Sequence, residues 1–213
     1  LKLYKYLHSD YDMCAIGNIK IGTLMNYKEG EHKVGIADPD EGVKTVSHHI
    51  DYWNSSNPNA KHTNAMQAYD SLFVGGGVNN SATNVTMFRT LVSPDFYMLC
   101  LSMVRTKEAM QSCGNADSCV QITNFNSFIS RLTDALNESC QVRLIYAGPV
   151  SYQSRIEEFN GEDWGLHPGL VKGPEFKPQE EFRVAWKPKH NVQISPIILN
   201  DIGLLKFCKK VPI

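Results

Sequence analysis

Apolar and polar residues alternate with period two in the opening segment Leu1-Lys2-Leu3-Tyr4-Lys5-Tyr6-Leu7, and an aromatic-rich run of this kind predicts a strand. Ser9 stands three residues before Asp12 in the manner of a short capping box, and Gly17 supplies a stop. A helix over about residues 10 to 16 is expected between them. Ile19-Lys20-Ile21-Gly22-Thr23-Leu24 reads as a second strand leading to Tyr27. Farther on, Phe96-Tyr97-Met98-Leu99-Cys100-Leu101-Ser102 is almost continuously apolar and ends in a hydroxyl, the pattern of a strand buried on both faces with Ser102 at its exit. Phe125, Phe128, Ile129, Leu132, Ala135 and Leu136 recur at helical spacing behind Thr123-Asn124, so an amphipathic helix with its cap is expected there. Val142, Leu144 and Tyr146 alternate again, followed by Val150-Ser151-Tyr152. The last strands are expected over residues 181 to 186 and roughly 192 to 199. Residues 53 to 84 hold few apolar positions and many Asn, Ser and Gly, and read as a long loop-rich surface excursion. Strands outnumber long helices, and the helices gather in the first two thirds. The expected fold is α+β, a mixed, mainly antiparallel sheet with a few helices, in a single domain spanning residues 1 to 213.

Composition adds limits to this picture. At 213 residues, 42% hydrophobic and 20% charged, the chain can bury a core without staples. A net charge of −1 gives no general field for polyanions, so any nucleic-acid contact rests on the local cluster Lys172, Lys177, Arg183, Lys187, Lys189 and His190, which Glu175, Glu180 and Glu181 dilute. The six cysteines, Cys14, Cys100, Cys113, Cys119, Cys140 and Cys208, lack the paired spacing of a structural zinc site. Their even number permits disulfides, and Asn54, Asn79, Asn84 and Asn137 begin acceptor triplets that would matter in a secreted protein. No leading apolar signal segment is seen, the chain opens on Leu1 rather than Met, and no apolar run approaches the roughly 20 residues that span a bilayer. The expectation is a cytoplasmic chain without a membrane partner.

Four stretches are candidates for chemistry. In Gln179-Glu180-Glu181-Phe182-Arg183-Val184-Ala185-Trp186, strand alternation places Gln179, Glu181 and Arg183 on one face and Glu180, Phe182, Val184 and Trp186 on the other. From the strand alone, a solvated polar face with a local ion pair is the plainer reading. The same row offers a carboxylate two residues from an amide and two from a guanidinium, suited to stabilising a cation that forms in a substrate. The acidic loop Ile36-Ala37-Asp38-Pro39-Asp40-Glu41-Gly42 reads as a turn before it reads as a hard-cation site. Gly75-Gly76-Gly77 lacks the Lys-Ser/Thr of a phosphate loop and reads as a mobile loop. Cys100 in an apolar strand is expected to be inert.

Taken in order, Leu3-Tyr4-Lys5-Tyr6, Cys100-Leu101-Ser102 and Gln179-Glu180-Glu181 resemble the three-part signature of ADP-ribosyltransferases. In that family an early strand carries an aromatic-Arg pair, a middle strand ends in Ser-Thr-Ser, and a late strand carries Gln or Glu two residues before the catalytic Glu. The wider pattern, with Tyr27, Asp38-Pro39-Asp40-Glu41-Gly42 and Phe176-x-x-Gln-x-Glu-x-Arg, also resembles an uncharacterised group of bacterial and phage-associated domains. The resemblance implies a central cleft that takes NAD as substrate, with no metal, and transfer of ADP-ribose to a protein or nucleic acid in a toxin or phage-defence setting. An antitoxin or associated subunit would be a partner in that setting. By the same resemblance Glu181 is the catalytic carboxylate that holds a ribose hydroxyl and stabilises an oxocarbenium-like state, and Gln179 faces the acceptor. Ser102 orients the cleft or Glu181, and Lys5 contacts the dinucleotide phosphates. Tyr4, Tyr6, Tyr27 and Tyr52 are candidates for stacking on a ring, although aromatic strand residues more often belong to the core.

Lys5 stands where the family has Arg, and Ser102 alone represents the Ser-Thr-Ser motif, flanked by Leu101 and Met103. A lysine neutralises a pyrophosphate as a point charge without the bidentate fork of arginine. Those two departures, together with a neutralising Arg183, are what a non-catalytic binding module retaining the same fold would show. A third reading is a metal-dependent hydrolase or nuclease built on Asp38, Asp40, Glu41 and His48, His49 or His62; the adjacent His48-His49 would point to opposite faces of a strand, which is poor ligand spacing.

Overall fold

The computed structural model describes residues 1–28, 38–71, 79–114 and 116–213. The triple glycine 75–77 and the first two residues of the acidic loop, 36 and 37, lie outside them. The architecture is α+β with mostly antiparallel sheet and few helices. The strands are β1 (Leu3–Leu7), β2 (Asn18–Thr23), β3 (Val43–Asn54), β4 (Ser81–Val92), β5 (Tyr97–Ser102), β6 (Ser118–Ile122), β7 (Val142–Pro149), β8 (Ser151–Tyr152), β9 (Ile156–Glu158), β10 (Val171–Lys172), β11 (Glu181–Pro188), β12 (Ile197–Asn200) and β13 (Cys208–Lys210). The helices are α1 (Met13–Ile16), α2 (Leu24–Lys28), α3 (Ala60–Ala68), α4 (Lys107–Ser112) and α5 (Phe125–Ser139).

β5 is the hub of the eight-stranded sheet. Along one edge it pairs with β11 over its whole length, from Glu181 opposite Ser102 to Trp186 opposite Tyr97. Its other edge is shared by two strands: β1 meets it at the exit, Tyr4 opposite Ser102, and β2 meets it at the entry, Gly22 opposite Met98 and Thr23 opposite Tyr97. β1 continues outward to β6 and β13, and β2 to β12, so the sheet forks. Between the two tines the edge of Leu99, Cys100 and Leu101 has no strand partner among the described residues. A backbone carbonyl left there needs another donor, and Lys5 Nζ supplies it, 2.9 Å from the Cys100 carbonyl oxygen.

The apolar side of this sheet is closed by α5. Asn124 caps the helix, its side chain accepting from the Ser127 amide, and Phe128, Ile129, Leu132 and Leu136 form the buried stripe. They pack with Leu3, Leu99, Leu101, Phe182, Val184 and Trp186 in one core. Alternation thus puts Phe182, Val184 and Trp186 inward as expected, and Trp186 is fully buried with its indole nitrogen 2.9 Å from the Thr133 hydroxyl. The helix expected over residues 10 to 16 is split. Ser9–Tyr11 is a single 3-10 turn, Asp12 rather than Ser9 caps α1 by accepting from the Cys14 amide, and Gly17 ends it in the left-handed conformation at φ 72°. Ser9 is drawn away because its amide and hydroxyl both donate to Asp117.

The stretch expected to be a loop-rich excursion over residues 53 to 84 is more regular than its composition suggests. Its ends belong to the long antiparallel ribbon of β3 and β4, and it carries α3, which Asn59 caps. β9 adds in parallel to the other edge of β3. Val46, Ala65 and Phe159, with Tyr69, Met87, Leu91 and Trp164, give this ribbon a small core of its own. Some of its polar residues belong to these elements, Asn54, Ser81, Thr83 and Asn84 to the strands and Thr63 and Asn64 to α3, while Ser55, Ser56, Asn57, Asn59, Asn79 and Asn80 lie in turns and connections.

If Trp186 is the central filling of the α5 core, Trp186→Ala should lower the unfolding free energy by about 3–5 kcal/mol, read from a urea denaturation series. A loss well below about 1 kcal/mol would mean that this face is not the core.

Candidate functional site

The register of β1, β5 and β11 puts Tyr4, Ser102 and Glu181 in one row across three adjacent strands, with side chains on the face opposite α5. These residues are 98 and 79 positions apart in sequence, and only sheet pairing brings them together. Lys5 leaves β1 on the other side of the strand and reaches into the fork from there. A cleft of about 740 Å³ runs through the fork, bordered by Tyr4, Lys5, Ser102, Lys172, Gln179 and Glu181 among others. The six positions marked by the sequence on the three segments, Tyr4, Lys5, Tyr6, Ser102, Gln179 and Glu181, therefore meet in one cleft. Tyr27 also borders it, whereas Tyr52 is exposed on β3.

Two of the local expectations are corrected. β11 begins at Glu181; Gln179 closes the 3-10 segment Pro174–Gln179, and Glu180 takes the left-handed conformation at φ 42°. Gln179 is therefore outside the strand, yet it stays on the side of Glu181, since Lys172 Nζ donates to both side chains. The polar row is also not a solvated face: Gln179, Glu181 and Arg183 are 7%, 3% and 0% exposed. They are covered by the segments before β11 and by the turn at Asp38–Gly42.

Burying these charges requires partners. Glu181 Oε1 accepts from Arg183 Nε at 2.8 Å and Oε2 accepts from Lys172 Nζ at 2.8 Å. Lys172 also donates to Gln179 Oε1 at 2.7 Å, and the Gln179 amide donates to the Ser112 carbonyl at 2.8 Å. Arg183 Nη1 donates to Glu41 Oε1 at 2.9 Å and to the Gly169 carbonyl at 2.6 Å. Two cations and two carboxylates form a buried network without net charge. Arg183 Nη2 is buried in it with no hydrogen-bond partner. Burial opposes the ionisation of Glu181, but the adjacent Arg183 and Lys172 charges outweigh it and hold the carboxyl well below the usual carboxylate range. Lys172 behaves correspondingly: burial works against its charge, and Glu181 and Glu41 raise its pKa above the ordinary lysine value. Burial, reinforced by Glu181, pushes the Cys100 thiol up to about 12, so it is an inert thiol, as expected for that strand.

The Ser102 hydroxyl does not orient Glu181 directly. It lies 2.8 Å from the Gln179 carbonyl and 3.1 Å from that of Val104, and fastens the exit of β5 to the segment that precedes β11. Tyr152 offers its hydroxyl oxygen to the Glu181 amide at 2.7 Å. Lys172 and Tyr152 are site residues that the sequence reading did not single out, and Glu41, offered there to a metal site, is instead the partner of Arg183. Lys172 had been grouped with a local basic cluster, but it and Arg183 are interior and neutralised, so that cluster loses both. Only pairing with Glu181 distinguishes Lys172 from a surface lysine, and no local pattern encodes that pairing.

The described part of the acidic loop, residues 38–42, forms a turn, and Asp38 and Glu41 are bound by guanidinium groups. Asp38 is paired in bidentate fashion with Arg155, and Glu41 with Arg183. His48 and His62 are not with them. They form a chain on β3 and α3 in which His48 Nε2 lies 3.0 Å from His62 Nδ1, and His62 Nε2 lies 3.0 Å from Asp51 Oδ1. Among the described residues no three His, Cys, Asp or Glu side chains are grouped to hold a metal ion. No disulfide is formed; all six cysteines are free thiols. Among the described residues, too, no helix is long and apolar enough to cross a membrane.

Comparison with protein-family models, with curated proteins and with solved structures yields no match. The site therefore stands on its geometry.

A carboxylate held ionised contributes stability that is complete above its unfolded pKa, near 4.5, and is lost as acid approaches the depressed folded value. The unfolding free energy of the wild type should fall more steeply between roughly pH 5 and pH 2 than that of Glu181→Gln. Arg183→Met, which leaves Glu181 and Glu41 buried without the guanidinium, should cost about 3–5 kcal/mol at neutral pH. Parallel pH profiles, or an Arg183→Met protein as stable as wild type, would show that the network does not hold this end of the sheet.

Proposed function

We propose that the protein is an NAD-dependent ADP-ribosyltransferase with an ADP-ribosyltransferase-like fold, and that the fork cleft is its NAD site. The observation that carries this reading is the convergence of Tyr4, Lys5, Ser102, Gln179 and Glu181, from three segments distant in sequence, on one cleft. Glu181 is suited to the electrostatic part of the chemistry. It stays anionic at working pH, so it is neither a general acid nor a proton shuttle, and its charge is fixed in place before any substrate arrives. Scission of the nicotinamide–ribose bond generates an oxocarbenium-like sugar, and a preorganised carboxylate in a cleft that excludes water stabilises such a cation. Lys5 contributes a point charge at the cleft wall for the phosphates. Gln179 lines the cleft beside Glu181 with its carboxamide held by Lys172 and Ser112, and Ser102 keeps the Gln179 segment in place.

One observation favours a second reading, a non-catalytic binding module that retains the fold. Each oxygen of Glu181 already accepts from a cation, which reduces the negative potential available to a substrate.

The two readings separate on NAD consumption. Incubated with NAD and separate pools of protein, RNA and DNA, the wild type should release nicotinamide. Glu181→Gln, once shown by circular dichroism to be folded, should do so about 100-fold more slowly, a loss of roughly 3 kcal/mol of transition-state stabilisation, with NAD binding changed far less. A wild type that neither binds nor consumes NAD with any pool makes the binding module the better account, and wild-type rates in folded Glu181→Gln remove the role given to Glu181.

A further inference from the structure

A second concavity, of about 1010 Å³, lies beyond the cleft, bordered by Thr23, Met25, Asn26 and the segment from Lys187 to Pro196. Asn26 borders both, so the two spaces adjoin at α2. Lys187 is six residues along β11 from Glu181, on the same face by alternation, which is about 20 Å of extended chain. Lys187 and Lys189 are exposed and have no carboxylate partner among the described residues, as is so of several other surface lysines, but here two of them border one concavity. Among the described residues Asp95 is the one acid bordering the groove, and it is turned to the backbone, its Oδ1 accepting from the Met25 and Phe96 amides. The groove is thus electropositive in an otherwise near-neutral molecule. Among its described lining residues the one ring is the imidazole of His190, with no Phe, Tyr or Trp beside it, and two lysines are few for a phosphate backbone. What it offers instead is carboxamides, at Asn191 and Gln193, and apolar patches at Met25, Val192 and Ile194, which suit an extended polypeptide.

Resting on the transferase reading, we propose that this groove is the acceptor site and that it takes an extended, acidic polypeptide segment whose modified residue lies about six residues from its acidic anchor. The cleft itself leaves this task open, because the Gln179 carboxamide is tied to Ser112 and Lys172. In the transfer, the bond between the nicotinamide nitrogen and the ribose carbon breaks and its electron pair leaves with nicotinamide, which departs neutral. A lone pair of the acceptor side chain forms the new bond to that carbon, and the proton of the acceptor passes to solvent.

The test is fluorescence anisotropy with a fluorescein-labelled twelve-residue peptide bearing a run of Glu and Asp. Wild-type protein should bind it saturably at 50 mM salt and about tenfold more weakly at 300 mM, since exposed charge pairs are screened. Lys187→Glu/Lys189→Glu should weaken it about tenfold and Lys187→Gln/Lys189→Gln by a smaller factor. Absence of binding, equal binding by a folded double variant, or tighter binding of a single-stranded oligonucleotide of equal charge overturns the proposal. NAD consumption by the wild type is measured in parallel. Peptide binding without it overturns the transferase reading and the acceptor role together, while NAD consumption without peptide binding overturns the groove alone.

Discussion

The buried network of Lys172, Glu181, Arg183 and Glu41 is the constraint on which the rest of this end of the molecule depends. Each ion would be costly alone in a low-dielectric interior, and each is tolerated because the other three are fixed around it. The four come from three separate places: Glu41 from the turn before β3, Lys172 from the short strand β10, and Glu181 and Arg183 from β11. Satisfying the charges therefore fixes the turn at Asp38–Gly42 and the segment Pro168–Gln179 against the polar face of the sheet. The Gly169 carbonyl and the Gln179 amide group are drawn into the same hydrogen-bond set. Hydrophobic burial does the corresponding work on the opposite face, where α5 covers Phe182, Val184 and Trp186. β11 is thus held by ions on one side and by a dry core on the other.

The fork in the sheet follows from how β5 is shared. A central strand normally has a full partner on each edge, but here β1 and β2 each take one end. The gap costs ladder hydrogen bonds, and Lys5 restores one of them from its side chain. The same gap opens the cleft. A lysine that the family resemblance would give wholly to phosphate recognition has a structural bond here, and a phosphate would compete with the Cys100 carbonyl for its protons. The ionised state of Glu181 has a similar double character, since the cations that keep it charged are also its structural partners.

The elements with strong periodicity were legible. The strand Phe96–Ser102, the amphipathic helix behind Asn124 and the apolar face of β11 each carry an uninterrupted local pattern, so period and capping chemistry suffice. The ribbon of β3 and β4 was not legible as two long strands, because strands with one face in solvent use Ser, Thr and Asn that also fill loops. Ser9 and Asp12 show the same limit on a smaller scale. Both are capping residues, and what decided between them was the distant Asp117, which occupies Ser9.

For the candidate site, the sequence by itself determined the residue types and their order: an aromatic and a lysine early, a serine at a strand exit, a glutamine and a glutamate late. Those are local facts, carried by alternation and by short motifs. The tertiary structure alone decided that Tyr4, Ser102 and Glu181 stand in one row, because register between strands about 80 to 100 residues apart is set by sheet pairing and not by any neighbour in the chain. It alone decided that the polar row is interior, and that Lys172 and Glu41 belong to it. Burial of a charge is a property of what packs over it, and the segments that cover Glu181 and Arg183 come from other parts of the chain.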